Sequence, residues 1–533
     1  MTTPRFTSVL PALVLLVAAC GAEEDDASFR SGYTTNTTLD GGDDGSVCEG
    51  EPGPVTDVNP RRSLFETNPD ALSGFTMTAV LDAIAVNSGL VSQPSVTHDQ
   101  FIDTYNEAPG LGLGANCDDA LAFDGTPGLN GFPHICPRAE GNHIGDIEGW
   151  FPIAAVNRFD LAPSDGSHCG EARLVMANNS ERRMFTIFEA QIPNPNPGCG
   201  IDACAPVQEF WAELSEQDNP KKRAEMLRLA FIDGAPSLEA EGFGPFMSQQ
   251  NLTFGTGQVR TNNFDDNDFI WTLREFKVVP VGKPSLSAEF GTKPPVQAVA
   301  RMVPVPVAAN PFGEYWDDDV PGLPNHKACV MALLDTVEHL MVDDVNLMGV
   351  SVPTECLAAE SPATNVQRYA QQLAGHDALA KAIDARIHQI DPTSTLTPAD
   401  IANRAAFAGG CIGCHQQTNG IDLGNGVQAP VSGFFVHTSE TNTQDCGDGT
   451  SCFSISPALE DDFLPHRKAV MDTYLSGGPC CDEPGFIDVD AEEAVPLSPD
   501  EPIPLAELMQ AEADAKAAQS PTTIAGTPTA RSH

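Results

Sequence analysis

The chain has 533 residues, with 28 Lys or Arg against 74 Asp or Glu, a net charge of −46 and an isoelectric point near 4.3. Nucleic-acid binding is disfavoured, because phosphate backbones are held by Lys and Arg. The length favours about two domains, and 15 cysteines point to an oxidising compartment.

Residues 1–20 read as an export signal. Arg5 supplies a positive start and Val9 to Ala19 a short apolar core, too short to span a bilayer. Val17-Ala18-Ala19-Cys20 is similar to the lipobox of bacterial lipoproteins. That resemblance implies acylation of Cys20, contact with the membrane through the lipid anchor only, and a place in the cell envelope. Gly21, where an aspartate can retain a lipoprotein in the inner membrane, favours the outer membrane, facing either side. An ordinary secretory signal with an incidental Cys20 is the alternative. Residues 21–60 are acidic and poor in apolar groups, and read as a flexible tether.

Residues 61–320 read as an α+β, disulfide-bearing domain. Helices are expected over residues 61–115, with Phe75, Val80, Leu81, Ile84 and Val86 on a core face and Phe101 with Tyr105 on another. Cys117, His134, Cys136 and His143 follow in an irregular stretch whose spacing fits no zinc pattern. Strands are expected at Phe151–Phe159, Ala172–Ala177 and Met184–Ile192, and helices at Val207–Leu214 and Ala224–Ile232. Gln258–Phe264 and Trp271–Val279 read as a hairpin across an acidic turn, which reads as solvated rather than as a calcium loop. Arg158, Asp160, Glu171 and Arg173 lie on or beside these strands, as ion pairs at the sheet edge or as the lining of a substrate pocket. Asn157-Arg158-Phe159-Asp160-Leu161 and Trp271-Thr272-Leu273-Arg274-Glu275-Phe276 give this block a general resemblance to large uncharacterised lipoproteins of Gram-negative bacteria, which implies no particular activity. Nucleophile-elbow, dinucleotide, P-loop and His-Glu-x-x-His patterns do not occur.

Pro-rich sequence from Val279 to Pro311 reads as a connector. Residues 321–481 are expected to form a mainly helical haem domain. Helices are predicted over 328–348 and 365–390, with His376 on or near the apolar stripe of the second. Thr397-Pro398-Ala399-Asp400 has the form of a capped helix start, Ile401, Ala405 and Ala408 share a face, and Gly409-Gly410 end the helix. Next comes Cys411-Ile412-Gly413-Cys414-His415. Two thiols three positions apart can each add to a porphyrin vinyl group, and the following imidazole can ligate the iron. Random placement of 15 Cys and 12 His in 533 residues gives about 0.01 such motifs. The motif therefore points to covalent haem c held by Cys411 and Cys414, with His415 as proximal iron ligand. A redox-active disulfide and half of a zinc site are the other readings of the cysteines.

The helix leading into this motif resembles the opening of a small mono-haem cytochrome c domain, over about residues 398–480. The implied class is α+β overall: a strand-containing N-terminal domain plus a mainly α-helical, cytochrome c-like C-terminal domain. The distal ligand stays open between Met471 and His437; His466, beside Arg467 and Lys468, reads as a surface residue. Met/His ligation raises a haem potential and bis-His ligation lowers it. Phe463 to Leu475 reads as the last helix, and 482–533 as a disordered acidic, Pro-rich tail.

Setting aside Cys20, Cys411 and Cys414 leaves twelve of the 15 cysteines for disulfides. Local pairings expected are Cys199–Cys204, Cys329–Cys356 and Cys446–Cys452. The functions that follow are electron transfer to an unidentified redox partner, which the acidic surface would attract if basic, or a haem oxidoreductase with its substrate site in the N-terminal domain, or a binding lipoprotein without haem.

Overall fold

Alternating apolar and polar residues build the central sheet. The computed structural model describes residues 55–101, 147–178, 183–265, 270–282, 298–307, 313–316, 325–358, 361–363, 368–410, 418–433 and 437–477. Within them the sheet is antiparallel in the order β1 (Phe65–Glu66), β2 (Trp150–Arg158), β3 (His168–Asn178), β4 (Met184–Pro193), β5 (Gln258–Asp265), β6 (Ile270–Gly282), β7 (Ala298–Val305). The short β8 (Ser361–Pro362) also pairs with β6. Residues opposite one another in such a ladder share a face. On one face Leu174, Phe188, Val259 and Phe276 form a row across four strands, and all four are fully buried. Phe75, Phe210, Trp211, Phe231 and Phe246 add an edge-to-face aromatic cluster to the same core.

The helices of this half are α1 (Pro60–Ser63), α2 (Pro69–Leu72), α3 (Met77–Val86), α4 (Pro94–Phe101), α5 (Ala205–Glu216), α6 (Pro220–Arg228) and α7 (Pro236–Ala240). Asn59, Asn68, Thr76 and Asn219 cap four of them through side-chain oxygens. The expected helices at 207–214 and 224–232 are α5 and α6, the latter running on into a wider π turn at Leu229–Asp233. Val86, expected on the core face, ends α3 and is 55% exposed. Tyr105 lies outside the described residues.

The opposite face of the sheet is charged and nevertheless buried. Glu171 pairs with Arg173 at 2.6 Å, Arg173 with Glu189 at 3.0 Å, Glu189 with Arg260 at 3.2 Å and Arg260 with Glu275 at 2.8 Å. Arg158 and Asp160 pair at 2.8 Å. The ion pairs expected of Arg158, Asp160, Glu171 and Arg173 therefore form, on or just after interior strands rather than at an edge. Burial alone would push Arg260 down, but Glu189 and Glu275 raise it well above its ordinary value.

Three further local expectations change. The Pro-rich connector contains β7, and β6 runs on to Gly282. Pro304 is tolerated on β7, the last strand of the ladder, and Pro280 on β6, beyond Phe276, the last β6 residue paired with β5. The helix over 328–348 is two helices, α8 (His326–Asp335) and α9 (Val337–Leu340), separated at Thr336. The Thr336 hydroxyl instead accepts from the Ser351 amide at 3.1 Å. The helix over 365–390 is likewise α10 (Tyr369–Gln372) and α11 (Asp377–Ile390), broken at Gly375 with φ 94°. His376 is accordingly the residue before α11, not part of a continuous stripe.

The expected fold class is also corrected. The C-terminal half is not a cytochrome c-like, all-helical unit. Besides α12 (Pro398–Gly409) and α13 (Leu464–Gly477), it contributes β8 to the central sheet and carries a hairpin of β9 (Thr438–Asp445) and β10 (Ser451–Ile455). One apolar cluster runs from Val58 to Leu475. The aromatic ring of Tyr474 on α13 meets Phe159 at 4.7 Å, and its hydroxyl donates to the Ile201 carbonyl. The physical reason is that α13 finds its apolar partners on the sheet-bearing half, which local periodicity does not reveal.

Disulfides bind Cys329 to Cys356 and Cys446 to Cys452 as expected, but Cys204 pairs with Cys169 rather than with Cys199. Cys169 opens β3, and the fold brings its Cα within 5.3 Å of that of Cys204, 35 residues away. Closing a loop of that length restricts the unfolded chain by about 4 kcal/mol. Cys169→Ala/Cys204→Ala should lower unfolding free energy by about that amount in urea titration; a loss below about 1 kcal/mol would contradict this role.

Candidate functional site

Helix α12 leads straight into the Cys-x-x-Cys-His motif. Its start is a complete capping box: the Asp400 amide donates to Thr397 Oγ1 at 3.2 Å, and the Thr397 amide to Asp400 Oδ2 at 2.8 Å. Burial extends beyond the expected face of Ile401, Ala405 and Ala408 to Ala402, Arg404, Ala406, Phe407 and Gly409. Gly409 is demanded by close approach, since a Cβ there would lie 3.1 Å from Val350 Cβ. The helix stops at Gly410, whose φ of −92° and ψ of 150° are extended.

Arg404 is the main tie of this region. Its guanidinium, fully buried, donates to the carbonyls of Leu423 at 2.6 Å, Leu340 and Val342 at 2.9 Å, and to Asp343 Oδ1 at 2.7 Å. It thus joins α12 to the end of α9 and to the loop after the motif. That loop is folded on itself by Gly420 to Ala429, Leu423 to Val427 and Ala429 to Ile421 backbone bonds. Gly420, Gly424 and Gly426 adopt positive φ within it.

Between α10, α12 and this loop lies a crevice of about 70 Å³. Ala406, Phe407, Ile421, Leu423 and Ala429 make it apolar, while Arg368, Gln371, Asn403 and Thr418 supply polar groups. Ligand pockets for drug-sized molecules run from about 300 to 1,000 Å³, so this crevice is too small to enclose one.

Cys411, Cys414 and His415 lie outside the described residues, as do Cys20 and the Cys117, His134, Cys136 and His143 stretch. Covalent geometry alone bounds the motif: Cys411 is one Cα step of 3.8 Å from Gly410, and His415 at most about 11 Å from Thr418. The crevice is lined by Asn403, Ala406 and Phe407 of α12, which ends just before the motif in sequence, and by Thr418, which follows it.

The two distal candidates sit elsewhere. Met471 is fully buried on α13, and its sulfur accepts from Asn157 Nδ2 at 3.7 Å. His437 immediately precedes β9 with φ 54°; its ring meets that of Phe463 at 5.7 Å and its carbonyl accepts from the Ser456 amide. Neither lines the crevice. His466 is half-buried rather than a plain surface residue, and its neighbour Arg467 is buried beside Asp160.

Sequence reasoning passed over Arg404 and Arg368. For Arg404 a signal existed: a charged residue inside the apolar run Ile401 to Phe407 needs buried partners. Among the described residues no helix is long and apolar enough to cross a membrane, and no group of three His, Cys, Asp or Glu could hold a metal ion. No protein-family model, curated protein or solved structure matches this chain.

Proposed function

We propose that this chain is an extracytoplasmic lipoprotein, anchored through Cys20, that carries one haem c on Cys411 and Cys414 with His415 as proximal ligand, and that it acts in electron transfer. The Cys411-Ile412-Gly413-Cys414-His415 motif carries the proposal. A rigidly capped, buried helix before it supports it. Three disulfides among the described residues agree with an oxidising compartment. Bound haem would supply one-electron chemistry; the chain's part is to hold the ring.

Of the two distal candidates, His437 is the better supported. Met471 is buried on α13 with its sulfur accepting from Asn157, so ligation by it would compete with that contact. His437 belongs to the segment tied to the loop after the motif: the Ala458 amide donates to the Val431 carbonyl, and the Ser456 amide to that of His437. Bis-His ligation would give a low potential. The acidic surface favours a basic redox partner.

The test is a pyridine haemochrome spectrum and a denaturing-gel haem stain on residues 21–533, exported alongside a cytochrome c maturation system. The expected result is a c-type spectrum that survives denaturation and is lost in Cys411→Ala/Cys414→Ala. A folded, colourless protein with Cys411 and Cys414 joined as a disulfide overturns the proposal in favour of a binding lipoprotein.

A further inference from the structure

The loop after α12 contains two Asn-Gly pairs, Asn419-Gly420 and Asn425-Gly426. Asparagine is a thermolabile side chain, and a following glycine leaves its own backbone amide unshielded for attack on the side-chain carbonyl. By sequence the two pairs are equivalent. The structure separates them. At the first, the Gly420 amide donates to the Ala429 carbonyl at 3.0 Å. Asn419 Oδ1 accepts from the Ser432 amide at 2.8 Å and from its hydroxyl at 2.9 Å. Nucleophile and electrophile are thus both engaged. At the second, Asn425 and Gly426 are exposed at the tip of a turn closed by the Val427 amide on the Gly424 carbonyl, with φ of 55° and 81° respectively. Positive φ at both central positions is the turn that Asn-Gly favours. The Gly426 amide makes no hydrogen bond among the described residues, and the space beside its Cα is open. The Asn425 carboxamide is oriented from both ends: Thr395 Oγ1 donates to Oδ1 at 2.8 Å, and Nδ2 donates to Asp343 Oδ1 and Oδ2 at 3.3 and 3.4 Å.

We propose that Asn425 is a site of spontaneous deamidation in the folded protein, and that Asn419 is protected from it. The Gly426 nitrogen attacks Asn425 Cγ. The new N–Cγ bond closes a succinimide ring as the Cγ–Nδ2 bond breaks, and Nδ2 leaves as ammonia with the proton that the Gly426 amide gives up. Water then adds to either imide carbonyl and opens the ring to aspartate or isoaspartate. Thr395 polarises the carbonyl under attack, as a hydroxyl donor stabilises charge that develops on oxygen. Ring closure turns the Asn425 backbone out of its left-handed conformation, which the open glycine beside it permits. The product places a carboxylate where the amide had donated to Asp343. Two like charges then face each other where Asp343 also meets Arg404, and the repulsion loosens the 420–429 loop from Asp343.

The experiment is incubation of the purified, folded chain at mildly alkaline pH, where the attacking amide loses its proton more readily, beside a parallel incubation in urea. Peptide mass spectrometry with fragmentation then resolves positions 419 and 425. In the folded chain, reaction at Asn425 should exceed that at Asn419 by on the order of tenfold, since the Gly420 and Ser432 bonds must break before attack at Asn419. In urea the two sites should react at similar rates. Asn425→Gln, whose longer side chain closes a larger ring, should remove the reaction at that position. Thr395→Val should slow it several-fold. Equal rates at the two sites in the folded chain, or reaction at neither while both react in urea, overturn the inference. An unchanged rate in Thr395→Val overturns the part assigned to that hydroxyl.

Discussion

Arg404→Ala is expected to destabilise the protein by about 3–5 kcal/mol, the range for removing one partner from a buried charged network. The side chain is fully buried, and its loss strands the Leu340, Val342 and Leu423 carbonyls at once. Each buried polar group left without a partner costs about 1–3 kcal/mol. Arg404→Lys should recover only part of this, because a point ammonium cannot span the same fork of acceptors. Asp343→Asn provides the contrast. The Asp343 side chain is 53% exposed, so the ion pair itself is half-solvated and its loss should cost under about 1 kcal/mol. Urea titration of the three variants separates the roles: equal losses for Arg404→Ala and Asp343→Asn would mean that the carbonyl contacts contribute nothing.

The second large effect is expected at Asp160. This carboxylate lies in the turn after β2 and pairs with Arg158 at 2.8 Å, both side chains being at most 5% exposed, and Arg467 of α13 approaches to 3.9 Å. Burial alone would raise its pKa, but Arg158 and Arg467 hold it well below the usual carboxylate range. Asp160→Asn should cost about 3–5 kcal/mol near neutral pH, because Arg158 keeps its charge without its partner. The sign of the pH dependence follows from linkage. A depressed folded pKa means that the stabilisation is fully present above the unfolded value of about 3.9 and is lost as pH falls through the folded one. The stability gap between the native chain and Asp160→Asn should therefore narrow as pH drops below about 4. A gap that stays constant from pH 7 to pH 3 would show that ionisation of Asp160 is not what stabilises this contact.

Local signals carried far in the strands. β2 to β6 were legible because alternating or continuous apolar residues lie between turn-forming residues. The capping box at Thr397 and Asp400, the extent of α13, and the ion pairs of Glu171 and Arg173 were equally open to reading. Each depends on neighbours a few positions apart, or on the cost of burying an unpaired charge.

For the proposed site, the sequence by itself determined what the proposal rests on: two thiols and an imidazole at the spacing of haem attachment, an N-terminal stretch that reads as an export signal, and 15 cysteines. Only the tertiary structure decided where neighbouring groups fall. It paired Cys204 with Cys169, turned a Pro-rich connector into the last strand, and seated α13 against Phe159 with Met471 on Asn157. It also brought Arg368, Phe407 and Leu423 around one crevice. These are contacts between residues far apart in the chain. They follow from how whole faces of helices and sheet find one another, which hydrophobic periodicity signals for each element alone but never for the pair.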